Sequence, residues 1–162
     1  MSLYNRLHEL FEYSDGWLFR KISVRGAPAG KRVGNRQSSG YLHIIVDGKK
    51  ILAHRAIFLF FNGYLPEFLD HIDGDKENNL LANLRPATKA QNGHNRKVFK
   101  NSKSGLKNIK LDEKSGNWMV TLRVNKKPMY FGMFKDLELA ELVAIEAREK
   151  FHGEFANHGV LA

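Results

Sequence analysis

Oxygen- and nitrogen-bearing side chains crowd one stretch of the chain: Leu69-Asp70-His71-Ile72-Asp73-Gly74-Asp75-Lys76-Glu77-Asn78-Asn79, then Asn83-Leu84-Arg85, then Thr88 to Asn92. Asp70 and Asn92 both offer oxygen ligands, which suit a hard cation such as Mg²⁺ and leave positions open for water and phosphate. Next to Asp70 stands His71. An imidazole ordinarily titrates near pH ~6.5 and can take a proton from water at neutral pH. Consecutive side chains on a strand point to opposite faces, so Asp70 can face a metal while His71 faces a water.

That division of labour needs particular elements. Asp70-His71 follows the apolar pair Phe68-Leu69 and reads as the end of a short strand. Asp73-Gly74-Asp75 is a turn; its spacing and the missing terminal Glu exclude an EF-hand loop. A second strand over 84–87 leads into a helix capped by Thr88, with Asn92 one turn inside. Within this frame Asn78 and Asn79 read as loop-bracing. His54 reads as a hydrogen-bonded structural histidine, and His94, on another face of the helix from Asn92, as a contact to DNA or solvent. As a replacement metal ligand His94 is the weaker choice.

Upstream, Phe11–Tyr13 and Trp17–Phe19 flank Ser14-Asp15-Gly16 as a hairpin, and so do 41–46 and 50–53 around Asp47-Gly48. Residues 27–40 form a basic loop, and 54–62 a short buried helix stopped by Gly63 and Pro66. Residues 98–105 are polar and turn-prone and read as a basic linker between a domain over 1–97, with its motif at 68–97, and a second over 106–162. Three strands follow, at 107–111, 118–124 and 128–134. Trp118, Val120, Leu122 and Val124 alternate with Met119, Thr121 and Arg123. Trp118 belongs to the core. A helix over 136–151 carries one apolar stripe, Leu137, Ala140, Ala144, Ala147 and Phe151, with Asp136 as cap and Gly153 as stop. The fold class is α+β: a ββα module followed by a three-stranded antiparallel sheet packed on one helix.

The 162 residues carry 26 Lys+Arg against 17 Asp+Glu, a net charge of +9, and no cysteine. The absent cysteine excludes a disulfide scaffold, a Cys-ligated zinc finger and a thiol nucleophile. The longest apolar burst, Ile57–Phe61, is too short to span a bilayer, and the first residues lack a signal-peptide pattern. A basic protein of a reducing compartment is expected, with a polyanion as partner. The charge is also patterned. No acid lies between Asn78 and Leu111, a stretch that holds Arg85, Lys89, Arg96, Lys97, Lys100, Lys103, Lys107 and Lys110. None lies between Gly16 and Val46, which holds six bases. In the C-terminal part, residues 101–127 carry seven bases and two acids, and 135–154 three bases and six acids. The sheet, not the helix, is therefore the face for nucleic acid.

Asp-His-Ile-Asp-Gly-Asp, Asn-Asn, Asn-Leu-Arg, Ala-Thr and Gln-Asn, in that order, resemble the HNH (ββα-metal) nuclease motif of phage homing endonucleases, as does the preceding Lys49–Arg55 stretch. The resemblance implies His71 as general base, Asp70 and Asn92 as metal ligands and Asn83 as the residue that braces the loop. The 22-residue spacing from Asp70 to Asn92 agrees with the motif. Asn92 stands where many relatives have a third histidine, which favours Mg²⁺ or Mn²⁺ over zinc. Ser104–Ile109, Trp118, Tyr130–Phe134, the Ala-containing helix and His152–Asn157 resemble the plant ethylene-response-factor DNA-binding domain. That resemblance implies DNA contact by Lys107, Lys110, Thr121, Arg123 and Tyr130, although several family arginines are absent.

Together these readings predict a metal-dependent endonuclease that nicks double-stranded DNA. It would act as a monomer with no obligate protein partner and no membrane, in the cytoplasm of a phage-infected host. Arg85, Lys89, Arg96 and Lys97 are further phosphate contacts. Two alternatives stay open: a non-catalytic, sequence-specific DNA-binding regulator on a degenerate HNH scaffold, and a nuclease directed at RNA.

Overall fold

The computed structural model describes residues 1–159 apart from Arg25, Lys97, Phe99, Lys100 and Asn101. The Lys97 assignment and part of the expected linker therefore lie outside the described residues. The chain forms two compact units, Met1–Thr88 and Lys89–Ala162.

The first unit begins with a helix that the sequence pattern did not announce, α1 (Leu3–Leu10), where Ser2 Oγ accepts the Asn5 N–H at the N-terminus. Its apolar positions Leu3, Leu7 and Leu10 span barely two turns, too few for a period to stand out. Next come β1 (Phe11–Ser14) and β2 (Trp17–Arg20), joined by the two-residue turn Asp15-Gly16. Inside the expected basic loop lie two short strands, β3 (Arg32–Val33) and β4 (Asn35–Arg36). Strand β3 completes a sheet in the order β1-β2-β3. Strand β4 edges a second sheet formed with β5 (Leu42–Val46) and β6 (Lys49–Leu52). The β5–β6 turn is Asp47-Gly48, both at positive φ, as a hairpin turn that matches strand twist requires.

Helix α2 (Ala53–Asn62) ends at Gly63, whose left-handed backbone donates to Leu59 O. Its apolar face, Ala53, Ala56, Ile57, Phe58 and Leu59, packs with Leu7, Leu10, Phe11, Leu18, Leu42, Ile44 and Val46 into one core. Each of the larger side chains among them contributes about 1.5–3 kcal/mol on burial. Leu69 and Leu84 extend this core to β7 (Phe68–His71) and β8 (Leu84–Ala87), an antiparallel pair. The core thus anchors the strand that carries Asp70 and His71 and the strand paired with it.

The second unit opens on α3 (Lys89–His94) and continues as β9 (Ile109–Asp112), β10 (Asn117–Val124) and β11 (Lys127–Phe134), with β10 central. Helix α4 (Leu137–His152) is capped by Asp136, which accepts from the N–H groups of Glu138 and Leu139. Ala140 and Ala144 let α4 sit close on Ile109 and Val120, rimmed by Trp118, Phe131, Phe134 and Leu137. Arg148, on the inner side of α4, is buried and donates to Lys107 O at 2.8 Å, tying the helix to the chain entering β9.

Sequence alternation on β11 is broken by a bulge. The β10–β11 register shifts between Val120 and Thr121, so that Tyr130 pairs with Thr121 but Met133 pairs with Met119. Met133 therefore shares the outer face with Tyr130, whereas strict alternation places it inside with Phe131. Gly132, at φ +138°, sits at the irregularity, and a Cβ there would meet the Phe134 ring at 2.8 Å.

A second glycine matters to the site. Gly16 has φ +83°, and a Cβ on it would approach Leu80 N to 3.1 Å and the Asn79 carbonyl carbon to 3.3 Å. Gly16→Ala is expected to destabilise the chain by about 1–3 kcal/mol in urea denaturation. Gly48→Ala, at a similar φ in open space, should cost about 1 kcal/mol or less. Equal losses at the two positions would show that the approach to Asn79 and Leu80 carries no energetic weight.

Candidate active site

Asp70 and His71 end β7 on opposite faces, and both are buried. Two buried polar groups in sequence must each find partners, because an unsatisfied one costs a few kcal/mol. Asp70 finds its partner across the strand pair. It stands opposite Arg85 in register, and Arg85 Nε and Nη2 donate to Asp70 Oδ2 at 3.0 and 2.9 Å. Only 5% of the Asp70 side chain and 15% of the Arg85 side chain are exposed. Arg85, read from the sequence as a phosphate contact, lies on the carboxylate that was read as a metal ligand.

His71 finds its partner in the loop that follows. Its Nε2 lies 3.0 Å from Asn79 Oδ1, and Asn79 is 2% exposed. Two more rings border it. His54 packs edge-on at 4.9 Å between centroids, and Tyr41 lies at 6.0 Å. His54 is buried and its Nδ1 has no hydrogen-bond partner among the described residues, unlike the hydrogen-bonded structural histidine expected. Burial first, then the His71 and Arg55 charges, drive its pKa down to about 3, so the ring stays neutral. Burial also pushes Tyr41 up, and the Asp70 charge adds to this.

The loop between β7 and β8 is organised by Asp73 and Asn83. Asn83 Nδ2 donates to Asp73 Oδ1 at 2.9 Å and to Asn78 O at 2.8 Å, and its Oδ1 accepts the Asp73 N–H at 3.1 Å. Asn78 Nδ2 donates to Asp73 Oδ2, and the Asp75 N–H to Asp73 Oδ1. Burial alone would raise the Asp73 pKa. The bonds from Asn83, Asp75 and Asn78 outweigh it and hold the carboxyl below its ordinary value. Asp73, read as a plain turn residue, is the hub of the loop. Asn78 braces the loop as expected, whereas Asn79 reaches His71.

Contacts from upstream fix the loop from outside. Tyr13 Oη accepts the Leu81 N–H at 3.3 Å. Lys76 Nζ donates to Ser39 O and lies over the Tyr41 ring, while Arg36 pairs with Glu77 at 2.8 Å. The same N-terminal part bears a basic groove of about 430 Å³ lined by Arg20, Lys31, Arg32 and Asn35 among others. The Arg32 guanidinium lies 3.8 Å from the Trp17 ring centroid. These bases come from the acid-free 16–46 stretch.

In the second unit Asn92 lies on α3 and is partly buried, while Lys89 and Arg96 are exposed. The His94 ring stacks on His152 at 3.6 Å with planes 8° apart, a partner that the sequence did not suggest. Two parallel stacked imidazoles cannot both aim an in-plane lone pair at one cation. Lys107 donates to His94 O at 2.8 Å, and burial followed by the Arg148 charge lowers its pKa to about 8. On the sheet, the pairs Met119–Lys110 and Thr121–Tyr130 place Lys110, Thr121, Arg123 and Tyr130 on the face away from α4. Arg123, Lys110 and Tyr130 are exposed.

No group of three or more His, Cys, Asp or Glu side chains that could hold a metal is found among the described residues. The donors at the end of β7 are one buried carboxylate and one imidazole. That set fits a cation that keeps most of its water and takes one or two protein oxygens, as Mg²⁺ does, and not a closed zinc site. No helix among the described residues is long and apolar enough to cross a membrane.

The burial of His54 makes a prediction about pH. Its folded pKa lies below the ordinary value, so between about pH 6.5 and 3 only the unfolded chain binds this proton. Its contribution is complete above about pH 6.5 and is lost as the pH falls toward 3. Urea titrations should show roughly 3 kcal/mol less stability at pH 4 than at pH 7 from this residue. His54→Phe should flatten that slope, and an unchanged slope would show His54 to be protonated within the fold.

A family model described as HNH endonuclease matches residues 52–94, the stretch from the end of β6 through α3. Protein 3.8 of Escherichia phage T7 is 34% identical over 107 residues, which is 64% of this chain and 86% of that protein. An uncharacterized HNH endonuclease of Acanthamoeba polyphaga mimivirus is 40% identical over 74 residues, covering 44% of this chain and 38% of that one. No solved structure matches the chain significantly.

Proposed function

The chain belongs to the HNH endonuclease family, and on that premise we propose that it is a divalent-metal-dependent endonuclease of the homing type that nicks double-stranded DNA. One observation carries the reading: Asp70 and His71 are adjacent, buried and separately partnered at the end of β7, within the matched segment. This arrangement divides them into one group for a cation and one for a proton.

His71 takes the proton of the attacking water. Asn83 holds the loop that carries the partner of His71. Asp70 and Asn92 are the residues that would hold Mg²⁺ or Mn²⁺. When bound, the cation supplies positive charge at the scissile phosphate and at the leaving 3′ oxygen. Arg85 keeps the Asp70 carboxylate aimed and balances its charge until substrate arrives; phosphate contact by Arg85 would compete with that bond. Lys89, Arg96 and Lys97 are assigned to phosphate contact.

The outer face of the β9–β11 sheet is the proposed duplex-binding surface, through Lys110, Thr121, Arg123 and Tyr130 in the manner of the ethylene-response-factor domain. Lys107 is the least suited of the assigned contacts, because its ammonium is partly buried and bonded to His94 O. One catalytic site per chain makes a monomer a nicking enzyme, acting in the cytoplasm of an infected host. A binding regulator with no catalysis would have no need to retain Asp70, His71 and Asn92 together.

Supercoiled plasmid from the source genome should be nicked with Mg²⁺ or Mn²⁺ and left intact with EDTA. His71→Ala should lower the rate by about 10²- to 10⁴-fold with DNA affinity retained. A wild-type chain that binds duplex DNA yet leaves it uncut with every divalent cation would refute the enzyme in favour of the regulator. Preference for an RNA substrate would move the assignment to a ribonuclease. On the sheet, Arg123→Ala should weaken duplex binding and reduce the slope of log affinity against log salt by about 1; an unchanged slope would remove this face from the DNA.

A further inference from the structure

We propose that Met119 and Met133 form an apolar reader of thymine on the outer face of the β9–β11 sheet, so that the duplexes this chain holds best carry thymine methyl groups where that pair meets the major groove. The inference rests on the reading of this face as the duplex-binding surface, and adds which base it selects and which side chains select it.

Strand register sets the outer face out in rungs. Met119 is paired on one side with Lys110 and on the other with Met133. The next rung is Thr121 with Tyr130, and the one after it Arg123 with Pro128. Regular alternation from Tyr130 would turn Met133 inward. The bulge between Val120 and Thr121 supplies the extra residue that re-aims it, and 40% of Met133 is exposed. Directly opposed residues on one face have Cβ atoms about 4.5–5.5 Å apart. The two thioether side chains therefore form one apolar surface within a polar face. Ser115 borders it: its Oγ donates to Asp112 Oδ2 at 2.6 Å and lies 3.3 Å from Met133 Sδ.

The charge around this surface points to its occupant. Residues 101–127 hold seven bases and two acids, and both acids are engaged close by, Asp112 with Ser115 and Glu113 with Lys103. Lys110 in the same rung and Arg123 two rungs away are exposed. A duplex matches that pattern, with phosphates at the rim of the groove for the cations and base edges on its floor for the centre of the face.

Thymine alone among the bases places an apolar group, its methyl, in the major groove. Guanine, cytosine and adenine present acceptors and donors there. A thioether has no hydrogen to donate and accepts weakly. A G·C pair pressed against Met119 and Met133 would leave its base-edge acceptors and donor dehydrated and without partners, which weakens binding. A thymine methyl in the same place sheds water and loses no hydrogen bond. Methionine suits the task because its unbranched chain adapts to the shape of the surface it meets. The pair thus favours thymine twice, by the contact it makes and by the edges it leaves unsatisfied.

The test uses the full chain with EDTA present, so that no duplex is cut. A pool of duplexes with a random centre is selected for binding. The tightest binder is then made twice, once with thymine and once with uracil, which lacks only the methyl. The bound pool should be enriched in thymine, and uracil should weaken binding about fourfold for each methyl contacted. The double variant Met119→Ala/Met133→Ala should bind the two duplexes alike. Its affinity for the uracil duplex should stay close to that of the wild type, which also shows that it folds. Met119→Leu/Met133→Leu, still apolar, should keep the preference for thymine. Equal binding of the two duplexes by the wild type overturns the proposal. A preference that survives in the alanine variant also overturns it, by tracing the effect to the shape of the thymine-bearing duplex. Arg123→Ala separates this inference from the one beneath it. If that variant binds more weakly with a lower salt slope while thymine is not preferred, the sheet is the duplex face and the methionines do not read it. If it binds as the wild type does, the duplex-face reading itself falls, and this proposal with it.

Discussion

The end of β7 buries a carboxylate and an imidazole side by side, and the rest of the first unit is arranged around satisfying them. Neither can be left without a partner in a dehydrated site. They cannot share one partner either, because alternation on a strand sends them to opposite faces. Asp70 is served by the paired strand, through Arg85 directly across the ladder. His71 must be served from elsewhere, and the connection between β7 and β8 supplies Asn79. A twelve-residue connection is too long to hold its shape by turn propensity alone. Its shape comes from the Asp73–Asn83 bonds and from contacts made by the N-terminal strands.

This explains which parts of the site can be read from the chain. Asp70, His71 and Asn83 announce themselves because polar residues follow an apolar strand in a fixed order. The loop hub is harder to see. Asp73 looks like one more Asp-Gly turn, since nothing local shows that Asn83 and Asn78 fold back onto its carboxylate. Asn78 and Asn79 are chemically identical neighbours with different duties, one bracing the loop and the other bonded to His71. Only the three-dimensional course of the loop separates them. Arg85 has a partner that its place in the sequence does not announce, for a related reason. An arginine in an acid-free stretch reads as free for phosphate, but its cross-strand neighbour is an acid fifteen residues earlier.

Element boundaries follow the same logic. The hairpins at Asp15-Gly16 and Asp47-Gly48 are legible because positive φ has a residue signature. Helices α2 and α4 are legible from their apolar faces and their stops. The short α1 is not, because eight residues hold too little periodicity, and Phe11 and Tyr13 just beyond it draw attention to strand. On β11 the bulge at Gly132 moves Met133 to the outer face, and no alternation rule anticipates an inserted residue. Buried Arg148 escapes notice on α4 because an arginine among glutamates looks like surface; its role depends on carbonyl oxygens before β9.

The matched motif, 52–94, is too small to bury a core of its own. The core that Leu69 and Leu84 join draws half of its residues from before it, among them Leu7, Phe11, Leu18 and Ile44. The N-terminal fifty residues are therefore part of the site's construction rather than an attachment to it. The Gly16 turn rests on the backbone of the residue that bonds His71, and Tyr13 holds the residue two beyond it. A change in the first hairpin should thus reach the surroundings of His71 through two contacts, with no need to alter any side chain in the motif. The same segment carries the basic groove of Arg20, Lys31 and Arg32. The groove is built on β2 and β3, in one sheet with the turn that backs Asn79.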